Sequence, residues 1–119
     1  MMGVNINDST APYTAMICDG TKTIETRRTR SLDSVVGQRV GIIRTGVGRA
    51  TLVAYAIVSE PVWYGSRREF AGDYARHRVP PGSQHDCTNG GKWGYPLEHV
   101  EPVAPTVITS RGIVLRRID

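Results

Sequence analysis

The run from Leu52 to Val58 is apolar at both alternating sets of positions, Leu52, Ala54, Ala56 and Val58 on one and Val53, Tyr55 and Ile57 on the other. A strand with one wetted face alternates apolar with polar residues, so this one packs inside and is covered outside, as in a barrel wall. The pattern predicts a strand over Arg49–Val58, joined by a turn at Gly46-Val47-Gly48 to a partner over Arg39–Arg44. No helix follows that Gly-x-Gly, so it reads as a hairpin turn and not as a phosphate loop. Further strands are expected at Val4–Asn7, Trp93–Val100 and Gly112–Ile118, while Pro102 and Pro105 make the piece between them an edge or a loop.

Two helical segments interrupt the strands. Ala11–Asp19 has Thr10 as a candidate cap, Pro12 in its first turn, Tyr13, Met16 and Ile17 at helical spacing, and Gly20 as a left-handed exit. Ser66-Arg67-Arg68-Glu69 matches a capping box and predicts a helix to about Arg78, with Phe70 and Tyr74 on one side and Pro80-Pro81 as its stop. Pro80–Lys92 holds almost no core-forming residue and reads as a long surface loop, suited to act as a flap over a cleft.

At 119 residues and 39% hydrophobic content, residues 1–119 are expected to form a single domain. No apolar run approaches a membrane span and MMGVNINDST has no signal-peptide pattern, so the expectation is a cytoplasmic protein with reduced Cys18 and Cys87. His77, His85 and Cys87 lack the paired spacing of a zinc site, and no metal or cofactor is expected. The net charge of +4 is regional: residues 21–49 carry seven basic and two acidic side chains. Thirteen of the fifteen basic residues are arginine, whose planar fork suits phosphate. Such a region fits RNA, a nucleotide or another anionic ligand, or else a solubilising surface.

The densest chemistry lies at Gly20-x-Lys22-x-x-Glu25-x-Arg27, which enters a strand directly from the first helix. Alternate strand residues share a face, so Glu25 and Arg27 lie together, and Lys22 joins them only from an irregular turn or bulge. The Glu25–Arg27 pair is either a cross-link in the barrel wall or part of a site; a ligand contact is the favoured reading for Lys22, because a buried unpaired ammonium is costly.

This spacing resembles the G-x-K-x-x-E-x-R signature of ASCH domains. Ala11-Pro12-Tyr13 before a short helix, the turn at Gly37, and Trp93-Gly94-Tyr95-Pro96-Leu97 followed by Val100-Glu101-Pro102 resemble the same family, in family order. The resemblance implies an α+β fold, a PUA-like mixed β-barrel of five or six strands with two or three short flanking helices. It also implies a cleft between barrel and first helix that meets RNA, a nucleotide or a modified nucleoside and is lined by Lys22, Glu25 and Arg27. Some small relatives hydrolyse N4-acylcytidine with a lysine, a threonine and a glutamate, and others are ribonucleases. Lys22 matches that lysine, but Glu25 stands where the threonine nucleophile would be.

A substitute chemistry uses Lys22 to activate Thr23, Thr26 or a water, with Glu25 relaying protons. The candidate catalytic residues are therefore Lys22, Glu25 and Thr26, with His77, His85 and His99 as alternative bases. The candidate ligand contacts are Arg27, Arg28 and four aromatic residues able to stack on bases, Trp63, Tyr64, Trp93 and Tyr95. The leading expectation is RNA or nucleoside binding. Hydrolysis of a nucleoside amide or of RNA comes next, and a regulatory or protein-interaction domain is the third.

Overall fold

The computed structural model describes residues 1–88 and 90–118. Seven strands form one curled sheet: β1 Met2–Asn7, β2 Ile24–Arg27, β3 Arg39–Thr45, β4 Thr51–Val58, β5 Val62–Tyr64, β6 Lys92–Val107 and β7 Leu115–Arg117. Their order is β2-β6-β4-β3-β1-β7, with β5 beside β6. The β1–β3 pair is parallel and the others are antiparallel. Three short helices flank the sheet, α1 Tyr13–Asp19, α2 Arg67–Gly72 and α3 Tyr74–His77. The α+β class is as expected; the barrel is a half-barrel, and the three-residue β5 and β7 bring the strands to seven where five or six were expected.

The doubly apolar β4 does what its sequence requires. Ala54, Ala56 and Val58 are fully buried with Val40 and Ile42 of β3 on the inner face. Outside, Leu52, Ile43 and Ile118 pack over Gly41, where an added methyl would lie 2.4 Å from Ile118 Cδ1, and the Arg39 guanidinium stands 4.2 Å over the Tyr55 ring. Glycine at position 41 is therefore a packing requirement. The curl brings β2 toward β1 across an open seam: Arg27 Nη2 donates to the Asn5 carbonyl at 2.7 Å.

Several local expectations are corrected. Thr10 does not cap α1; Pro12 is the N-cap residue, and Asp8, at the end of β1, accepts from the Thr14 amide at 3.1 Å and hydroxyl at 2.5 Å. Gly20 does supply the left-handed exit, with φ 86°. The second helical segment breaks after Gly72. There Asp73 binds the Tyr64 hydroxyl and Arg76 Nε, so a single side chain ties β5 to both short helices. Phe70 is buried against the His77 ring with centroids 3.8 Å apart, whereas Tyr74 is exposed. The capping box forms, Ser66 Oγ accepting from the Glu69 amide, although Glu69 reaches back to the Gly65 amide, one residue before the serine.

Strand β6 runs through Pro102 and Pro105 as an edge, one of the two readings expected there. Beyond Leu97 it pairs with β4 on one margin, and among the described residues no strand covers the other, so prolines are tolerated there. The pairing slips twice, and His99 takes a positive φ of 51° at the second irregularity. From Arg78 to Gly91 the described residues form no regular element; Asn89, inside the expected loop, lies outside them. The segment is not purely a surface loop, because Val79 and Cys87 are buried in the core. No helix of the described residues is long and apolar enough to cross a membrane.

Candidate functional site

A cavity of about 300 Å³ occupies the seam between β1 and β2. Its walls are β1 (Asn5–Asn7), Tyr13 of α1, Lys22, the β2 residues Glu25–Arg27 and Arg28 just beyond them, with Val79, His85, Lys92 and Ile113 closing it from later segments. The αL turn at Gly20 leaves Lys22 outside the regular strand, and this lets it point with Glu25 despite the alternation of β2. Lys22 Nζ donates to the His77 carbonyl at 2.6 Å, lies 3.6 Å from Glu25 Oε1, and sits 5.0 Å over the Tyr13 ring. Glu25 Oε2 in turn accepts from Arg27 Nη2 at 2.9 Å. One carboxylate thus bridges two cations inside the wall.

A second ammonium completes the set. Lys92, only 3% exposed at the start of β6, donates to the His85 carbonyl and lies 3.5 Å from Thr26 Oγ1. Four cationic side chains, Lys22, Arg27, Arg28 and Lys92, therefore face this space with one carboxylate among the described lining residues. Burial pushes the Lys92 pKa down to about 8, helped by Arg28 and Lys22 and opposed by Glu25. Lys22 is lowered for the same first reason, against the pull of Glu25. Burial alone would raise the Glu25 carboxyl, but Arg27 and Lys22 outweigh it and hold it below the usual range. His85 is lowered by burial and by Lys92.

Of the expected catalytic residues, Lys22, Glu25 and Thr26 all line the cavity, as do Arg27 and Arg28. The four aromatic residues do not. Tyr95 is fully buried, its hydroxyl bound to Asp33 at 2.6 Å, and Tyr64 is spent on Asp73. Trp63 and Trp93 pack on each other at 4.7 Å, away from the lining. The two tyrosine hydroxyls are held by carboxylates that sequence reading did not reveal. Of the alternative bases, His85 reaches the lining, and His77 is locked in the neutral form. Its Nδ1 accepts from the Val79 amide at 2.9 Å while Nε2 faces the Phe70 carbonyl at 2.6 Å.

Sequence reading missed Lys92, Tyr13 and Asn5. A signal for Lys92 was present: the chain has two lysines among fifteen basic residues, and both are buried here.

The chain superposes on the crystal structure of ASCH from Zymomonas mobilis with a TM-score of 0.64 at 17% identity, over 87% of this chain and 71% of that one. A tyrosine-to-phenylalanine variant of that protein gives 0.66 at 17% identity, over 89% and 74%. A serine-to-alanine variant gives 0.65 at 18% identity, over 89% and 72%. The chain has an ASCH-like fold. No protein-family model and no curated protein sequence matches it. Within the ASCH-like fold, the Gly20–Arg27 signature occupies the exit from α1 into β2, at the open seam of the half-barrel.

Proposed function

We propose that the chain is a binding domain that takes one nucleotide of an RNA, or a free modified nucleoside, into the seam cavity. The observation that carries this is the placing of both lysines of an arginine-rich chain in the cavity wall, beside an Arg27 Nε that is buried without a hydrogen-bond partner. Buried donors are nearly always satisfied, so an orphan at a cavity wall points to an acceptor supplied from outside. A volume of about 300 Å³ lies at the small end of ligand pockets, roughly 300–1,000 Å³, and suits a single nucleoside-sized group. An anionic oxygen about 4 Å from one of these ammonium groups gains on the order of 4 kcal/mol at the effective dielectric of a protein surface. Glu25 retains acceptor capacity for an amine or hydroxyl of the ligand.

The test is a thermal-shift and calorimetric titration with nucleosides, nucleoside monophosphates and short RNAs. A ligand that binds the folded state raises Tm as RT ln(1 + [L]/Kd). Lys22→Met and Arg27→Gln should each weaken binding at least tenfold. Affinity equal to the parent's in both variants refutes the reading.

A second reading, hydrolysis, is favoured by the Lys92–Thr26 pair. An amine with pKa about 8 beside a hydroxyl can act as its base near neutral pH. Oγ1 would add to an acyl carbonyl as Lys92 takes its proton, and the amine would return that proton to the leaving nitrogen before water cleaves the ester. Thr26→Val would then abolish turnover of an N4-acylated cytidine while leaving its affinity intact. Absence of turnover in the parent protein rejects hydrolysis and leaves binding.

A further inference from the structure

The four aromatic residues that the cavity does not use include a pair built as a unit, Trp63 exposed and Trp93 half-buried beneath it. Trp63 of β5 is 48% exposed, and its ring meets that of Trp93 at 4.7 Å between centroids with an interplanar angle of 48°. The Arg30 guanidinium lies 4.9 Å over Trp93 and is held there by Asp33 at 2.7 Å. Two glycines back the exposed ring: a methyl added at Gly91 would come within 2.4 Å of Trp63 Cη2, and one at Gly65 within 3.1 Å of Nε1. Trp63 is thus seated against backbone and against a second indole, a rigid aromatic surface open to solvent on its free side.

Register ties this surface to the cavity. Trp63 is the cross-strand partner of Trp93, and Trp93 is the partner of Arg27, which lines the cavity. Directly opposed residues of antiparallel strands share a face, so Arg27, Trp93 and Trp63 form one row across β2, β6 and β5. Neighbouring strands lie about 4.8 Å apart, which sets Trp63 about 10 Å from Arg27 along that row. Arg28 and Arg30 follow Arg27 in the chain and give the same rim a positive charge. A row that runs from buried cations to a flat indole fits a polyanion with π-faces.

We propose that Trp63 and Trp93, with Arg30, form a stacking subsite for the nucleotide next to the one held in the cavity, so that the ligand is a single-stranded RNA and not a free nucleoside. This rests on the proposed cavity function and narrows its ligand class. The platform reads no base edge, so it tolerates any base at that position.

The two tryptophans are the only ones in the chain, so intrinsic fluorescence reports the platform directly. Binding of a five-nucleotide RNA and of nucleoside monophosphates is measured by anisotropy or calorimetry and by fluorescence quenching, for the parent, Trp63→Leu and Trp63→Phe. Loss of one base stack corresponds to a fall of about 5- to 150-fold in affinity. The expected result is such a fall for the pentamer in Trp63→Leu, recovery in Trp63→Phe, and unchanged mononucleotide affinity in both. Trp63→Leu keeps apolar bulk, and an unchanged Tm separates stacking from unfolding; if the leucine variant unfolds, quenching of the parent by pentamer but not by mononucleotide carries the decision.

Pentamer binding equal in all three proteins overturns the platform and leaves the cavity reading intact. So does mononucleotide binding without pentamer binding. Failure of every nucleic acid to bind the parent overturns both. A fall of equal size for pentamer and mononucleotide shows distortion of the cavity and also overturns the subsite.

Discussion

Replacing Lys92 by methionine separates a group kept for the fold from one kept for a ligand. Burial lowers the Lys92 pKa from 10.5 to about 8, yet at pH 7 the ammonium is still mostly protonated. At about 1.4 kcal/mol per tenfold change in proton affinity, the charge costs the folded state about 3 kcal/mol. Below pH 8 both folded and unfolded chains hold the proton and the cost is present in full. Between about 8 and 10.5 the folded chain releases it while the unfolded chain keeps it, so stability rises with pH; above 10.5 the cost is gone. The side chain also donates to the His85 carbonyl and the Thr26 hydroxyl, worth about 0.5–1.5 kcal/mol each. Lys92→Met keeps the stem and removes the charge. It should leave stability at pH 7 unchanged or raise it by up to about 2 kcal/mol while weakening nucleotide binding at least tenfold. Urea unfolding at pH 7.0 and 9.5 should show the parent gaining about 2 kcal/mol relative to the variant over that interval. Parallel pH curves, or a variant less stable than the parent by more than about 3 kcal/mol at pH 7, would refute the argument and make Lys92 a structural residue.

Glu25→Gln removes the carboxylate between Lys22 and Arg27 and leaves two cations uncompensated, so it should cost about 3–5 kcal/mol in chemical unfolding. Because the folded pKa of Glu25 is depressed, the parent should lose its contribution as pH falls below the usual carboxylate range, and the variant should show less of that acid dependence. The depressed pKa of His77, whose first cause is burial, predicts a neutral ring at pH 7 with the proton on Nε2, readable by nitrogen chemical shifts; a charged ring or the other tautomer contradicts the Val79 and Phe70 bonds. Asp86 accepts from the Gly82 and Cys87 amides and from Arg67, so Asp86→Ala should speed protease cleavage between Arg78 and Gly91 with little change at other sites.

What the sequence made legible was local. The two-faced β4, the hairpin at Gly46–Gly48, the capping box and the glycine exit of α1 each state their geometry within a few neighbouring residues, and the structure contains all of them. The signature could be placed at a turn into a strand because Gly20 and the alternation of β2 are both local facts. What escaped depends on distant pairing. Lys92 reaches the cavity because β6 lies beside β2. Tyr95 and Tyr64 look like stacking residues until Asp33 and Asp73 are found at their hydroxyls. The continuation of β6 through two prolines is readable once one of its margins is known to be unpaired, which is a property of sheet order.

The choice between lysine and arginine gives the site its logic. An arginine in the place of Lys92 would stay charged at any pH that the protein meets and would spread five donors in a plane, whereas a compact ammonium fits beside one carbonyl and one hydroxyl and can lose its proton near pH 8. Everywhere else in the chain a basic side chain is arginine, including those of the exposed rim, Arg28 and Arg30. If the cavity were only a solvated positive patch, arginine would serve there equally and nothing would keep two costly ammonium groups below the surface. Lys92→Arg is therefore the decisive conservative exchange. It retains charge, so a purely electrostatic site should bind nucleotide within about threefold of the parent, while a site shaped around a small, releasable proton donor should lose at least tenfold.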